Sequence, residues 1–123
     1  MVVSWFYVLI WWFLFLHWTA DFVFQSDATA VKKSKSWFVL ALHASSYSVI
    51  LALGSWLFIP FKQVCLVWAA LFVSHFWIDA LSSRVTSWLF KRGRRHEFFT
   101  AIGFDQLLHF AVILFVLDFL VVG

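Results

Sequence analysis

The sequence predicts an all-α membrane protein: four transmembrane helices in an up-down bundle, forming one domain over residues 1–123. Three observations carry this. Hydrophobic residues make up 64% of the 123 and charged residues only 12%, with a mean hydropathy of +0.94, far more apolar surface than a soluble core of this size requires. Four apolar runs approach the roughly 20 residues of a spanning helix, covering about 2–24, 37–59, 64–81 and 98–122. The basic residues gather on alternate connections, as lipid-embedded chains place them.

The first run has no basic residue ahead of it and no small-x-small cleavage pattern after it, so it reads as a retained span. The connection 26–36 carries Lys32, Lys33 and Lys35, and Ser36 is placed to cap the second helix. Gly54 and Pro60 bracket the next turn, whose one charge is Lys62. The connection 82–97 holds Arg84, Lys91, Arg92, Arg94 and Arg95, within which Val85 to Phe90 are expected to rest on the membrane surface. Basic residues thus put 26–36 and 82–97 in the cytoplasm and both termini on the non-cytoplasmic side. Cys65 has no second cysteine to pair with and is expected to be a small packing residue.

Each span carries polar residues that lipid rejects: His17 and Asp21, His43 and Tyr47, His75 and Asp79, Asp105 and His109. Every pair is spaced i, i+4, one helical turn on one face. The pairs fall late in spans one and three and early in spans two and four, so an up-down bundle brings all of them to one level in the cytoplasmic half. A lone aspartate inside a bilayer costs about 2.5–3.5 kcal/mol, and three uncompensated ones would consume much of a folding stability of about 5–15 kcal/mol. No lysine or arginine lies within the spans, which leaves protonation, His-Asp pairing or a bound cation.

Imidazole nitrogen and carboxylate oxygen together suit a divalent transition metal, zinc, iron or manganese, as one or two ions. The expected ligands are His17, Asp21, His43, His75, Asp79, Asp105 and His109, with Gln25, Tyr47 and Gln106 in supporting contacts around them. Asp21, Asp79 and Asp105 are the candidate catalytic groups, any non-ligating one able to take a proton from an activated water. Bis-histidine haem fits less well, because carboxylates stand one turn from three of the four histidines. Arg84, Lys91, Arg92, Arg94 and Arg95 are expected to meet anionic lipid headgroups.

His17-x-x-x-Asp21-Phe22-x-x-Gln25, the lysines that follow, His43-x-x-x-Tyr47, His75-x-x-x-Asp79 and Asp105-Gln106-x-x-His109 together resemble the small bacterial and phage membrane proteins grouped as domain of unknown function 3307. The resemblance runs over nearly the whole chain. It implies a helical, multi-pass protein of the bacterial cytoplasmic (inner) membrane and singles out the same polar residues.

The functional expectation is a metal-dependent hydrolase acting on a lipid or headgroup-level substrate. A proton or divalent-ion transporter or channel subunit, working as a homo-oligomer because four short helices enclose little space, is the alternative from another class. A non-catalytic membrane assembly protein with structural metal is a third. The expected partners are the bilayer and its anionic headgroups, and no nucleic acid.

Overall fold

The structure, a computed structural model, describes residues 4–122. Val2 and Val3, which the sequence places in the first span, and both chain ends lie outside the described residues. Five α-helices occur, α1 (Trp5–Trp18), α2 (Asp27–Lys32), α3 (Trp37–Ser55), α4 (Phe61–Lys91) and α5 (Arg95–Val116), with no strand among the described residues. α1 and α5 run on without a break into short π-helical turns, Thr19–Val23 and Leu117–Val122. Four helices are then long and apolar enough to cross a membrane: Trp5–Val23, Trp37–Ser55, Phe61–Lys91 and Arg95–Val121.

Local chemistry sets the ends. The Ser26 hydroxyl accepts from the Thr29 amide at 3.1 Å and opens α2, and the Ser36 hydroxyl, expected from the sequence to cap the second span, accepts from the Val39 amide at 3.3 Å and opens α3. α4 closes in a Schellman turn. Gly93 takes φ 67°, its amide reaches Phe90 O, and the Arg94 amide reaches Leu89 O.

The third connection differs from the sequence reading. α4 does not end near Leu81 but continues through Ser82–Lys91, leaving Arg92–Arg94 as the link to α5. The fall in hydropathy after Leu81 is a change of composition and not the point where the backbone unwinds. Ala80, Ser83 and Leu89 keep an inward face in this upper part, so Val85 to Phe90 form the top of α4 instead of a separate surface segment. The connection 26–36 likewise contains the short helix α2.

Contacts between neighbouring helices run in opposite senses. Along α1, Trp12 Nε1 donates to Gly54 O at 3.2 Å, then His17 meets Tyr47, then Asp21 meets His43. A Cβ at Gly54 would collide with the Leu16 side chain, so glycine permits this close approach of α1 and α3. On α4, His75 stacks on Tyr47 of α3 and Arg84 lies 4.1 Å over the Trp37 ring. On α5, His109 reaches Asp79 and Phe98 packs on Phe90.

Two layers result. An apolar core of Leu9, Phe13, Leu16, Leu51, Val67, Leu71, Ile113 and Val116 fills the end away from the basic connections, and the polar pairs lie between this core and those connections. Outside, Trp11, Phe15, Leu42, Leu53, Trp77, Leu81, Leu107 and Phe115 are all exposed. An outer face this apolar suits lipid and not water. Cys65 is exposed on it, which corrects its reading as an interior packing residue.

Candidate functional site

His17, Asp21, His43, His75, Asp79 and His109 are all buried and Asp105 is half-buried, so the bundle gathers at one level what the sequence scatters over four spans. Asp21, His43, His75 and Asp79 each offer one donor atom to a group whose members lie within 4.8 Å of one another, and Asp21, Asp105 and His109 make a second such group. Either group could hold a metal ion.

The first group has the right shape for one. His43 Nε2 lies 2.9 Å from Asp21 Oδ1, 3.1 Å from His75 Nε2 and 3.3 Å from Asp79 Oδ2. His75 Nε2 lies 3.3 Å from Asp79 Oδ2 and 3.6 Å from Asp21 Oδ1. Tetrahedral bonds of about 2.0–2.1 Å separate their donor atoms by about 3.3 Å, the middle of this range. Two imidazole nitrogens aimed at one small space beside two carboxylates are the donor set that zinc, iron or manganese accepts.

His17 belongs to neither group. The wider π-helical turn at Thr19–Val23, in which the Phe24 amide bonds Thr19 O at 3.0 Å, swings Asp21 toward His43 and leaves it 4.0 Å from His17. Both His17 nitrogens are engaged elsewhere. Nε2 stands 2.8 Å from Gln106 Oε1, which can only accept, so Nε2 carries the proton. In the neutral ring Nδ1 then accepts from the Tyr47 hydroxyl at 2.7 Å. The Gln106 amide donates in turn to Asp105 Oδ2 at 3.1 Å, and the Ser82 hydroxyl donates to Asp105 Oδ1 at 2.5 Å. Tyr47, His17 and Gln106 therefore form a chain that orients Asp105.

The sequence reading found no cation within the spans, and the structure brings one in from outside. Lys33, just beyond α2, places Nζ 2.9 Å from Asp79 Oδ2. Burial acts to lower the pKa of this ammonium, but the Asp79 and Asp21 carboxylates outweigh it and hold the group above its ordinary value. Its one sequence signal is membership of the lysine cluster between spans one and two, which does not say which lysine turns inward.

A cavity of about 520 Å³ opens beside the cluster, with Asp21, Asp105 and Gln106 on its wall below Lys33, Lys35, Ser83, Thr86, Ser87 and Lys91. Of the residues expected to meet headgroups, Lys91 lines it and the arginines do not. Arg84 donates to Ala80 O at 2.8 Å, Arg92 lies 4.3 Å over Trp88, Arg94 pairs with Glu97 at 2.7 Å and Arg95 lies 5.8 Å over Phe99. Gln25 also lines the cavity, and its Oε1 and Ser83 Oγ are buried without a partner, as is His75 Nδ1.

No curated protein and no solved structure matches the chain. A family model does, over residues 9–122, which include all four polar pairs and both basic connections. The protein belongs to the family described as Protein of unknown function (DUF3307).

Proposed function

We propose that the protein is a metal-dependent hydrolase of a lipid or headgroup-level substrate, embedded in the bacterial cytoplasmic membrane. Its single domain would be an up-down bundle with both termini on the non-cytoplasmic side. The opposed runs of helix contacts and the basic residues of α2 and upper α4 support that arrangement. One observation carries the catalytic reading: a buried set of four donor atoms within 4.8 Å of one another adjoins a cavity large enough for a substrate headgroup.

Asp21, His43, His75 and Asp79 would hold a zinc, iron or manganese ion, and a second ion would use Asp21, Asp105 and His109. Such an ion supplies a water of lowered pKa and a Lewis acid for a substrate oxygen. With the first group alone filled, Asp105 is the group of this chain suited to take the proton. It lines the cavity, is the least buried of the three aspartates, and is held in place by Ser82 and Gln106. Lys33 would balance carboxylate charge that the ion leaves over. Conduction fits less well, because the polar layer abuts the apolar core and Ser48 and Ser55 bond their own helix carbonyls.

Elemental analysis of detergent-purified protein tests the reading. About one equivalent of metal or more is expected, falling at least tenfold in His75→Ala. Asp105→Asn should retain the ion of the Asp21, His43, His75 and Asp79 group and lower the hydrolysis rate by about 10²-fold or more. A wild-type protein without metal, or full occupancy in His75→Ala, would sink it.

A further inference from the structure

We propose that the cavity beside the His/Asp cluster binds the phosphoryl headgroup of an anionic membrane lipid through Lys33, Lys35, Lys91 and the Ser83 hydroxyl. This rests on the hydrolase reading and narrows its substrate class. The lysines come from two distant parts of the chain, the end of α2 and the end of α4, yet all three line one cavity. The ion pairs that lysine and arginine make among the described residues are Lys33–Asp79 and Arg94–Glu97. Lys35 and Lys91 therefore stand at the cavity with no carboxylate partner. Folding that brings like charges together is repaid when an anion sits between them.

Ser83 points to a ligand independently. It is 5% exposed, its Oγ has no hydrogen-bond partner, and it lies on the cavity wall. Two hydroxyls nearby are satisfied within the protein: Thr86 donates to Ser83 O and Ser82 to Asp105. A buried hydroxyl free to donate, with ammonium groups around it, is what a phosphate oxygen recruits.

The remaining wall argues for a lipid as the source. Phe90, Phe98 and Ile102 line the cavity, and Phe90 is 71% exposed at its rim. The apolar surface thus runs from the cavity out to the lipid-facing side of the bundle, a path for an acyl chain that free phosphate would not need. Asp21 and Asp105 stand on the same wall, and a cation held by the group Asp21, Asp105 and His109 would strengthen the binding that the lysines provide by offsetting that charge.

The test is calorimetric titration of the full-length protein in neutral detergent with dioctanoyl phosphatidic acid, dioctanoyl phosphatidylcholine and inorganic phosphate, metal content being measured on the same samples. Saturable binding of the phosphatidic acid is expected, with the phosphatidylcholine much weaker. Lys35→Gln combined with Lys91→Gln should weaken it about tenfold, whereas Arg94→Gln combined with Arg95→Gln should leave it unchanged.

Ser83→Ala should weaken it about threefold while thermal unfolding stays the same or rises, since the change deletes a hydroxyl that no protein atom satisfies. Equal loss in both double variants, no loss in Ser83→Ala, or inorganic phosphate competing at concentrations equal to the lipid's would overturn the proposal. Lipid binding by a sample shown to be metal-free supports this site while removing the metal reading, and metal without lipid binding does the reverse.

Discussion

Asp79 is where most of the cluster meets. Lys33 donates to its Oδ2 at 2.9 Å and His109 Nε2 lies 3.1 Å from its Oδ1, while His43 and His75 Nε2 each stand 3.3 Å from Oδ2. Lys33→Met removes the one permanent cation among them. In metal-free protein this should lower stability by about 3 kcal/mol, and added zinc should restore most of it, as thermal unfolding in detergent with and without chelator would show. Identical unfolding with and without zinc would mean that lysine and metal do not share the task. The sign of the pH dependence follows from the raised Lys33 pKa. Its contribution is complete below the ordinary value of 10.5 and is lost only as pH climbs through the higher value of the folded protein. At this scale the sequence was a good guide where helical period alone decides: His43, His75, Asp79 and His109 meet as their spacing requires. At His17 a π-helical turn changes the period, so that Asp21 turns toward His43, and the sequence was silent on Lys33, because the reach of a long side chain from a connection has no period at all.

At the scale of elements, α1 and α3 meet where glycine lets them. Gly54→Ala should push the Leu16 side chain from its site and cost about 1–3 kcal/mol. In a Leu16→Ala background the same substitution should cost much less, a non-additivity that a double-mutant cycle in denaturant would measure. Equal costs in both backgrounds would mean that the two helices do not approach at this point. The four long apolar helices were legible because a helix able to cross a membrane needs a long apolar run. The end of α4 was not, since hydropathy reports the surroundings of a helix and its upper turns, from Ser82 to Lys91, are polar yet unbroken. Helix α2 escaped notice for a related reason: six residues carry too little periodicity to read.

For the molecule as a whole, the proposed orientation places Lys62 on one side of the membrane and Arg92 on the other, and both are exposed. With Cys65 replaced by serine, Lys62→Cys should react with an impermeant thiol reagent in intact cells. Arg92→Cys should react only once the cells are opened, and the opposite pattern would invert the bundle. The length of α4 adds something that neither site nor orientation contains. Its 31 residues span about 46 Å, against about 30 Å of hydrocarbon, and the surplus at the Lys91 end forms one wall of the cavity. The helix therefore fixes how high Lys91 stands, whereas the bilayer fixes how high its phosphates lie. Where the two heights agree, a headgroup meets the cavity without leaving its leaflet; in a thinner membrane it would have to climb. The proposed site would therefore bind its lipid with a strength that depends on the acyl-chain length of the membrane around it.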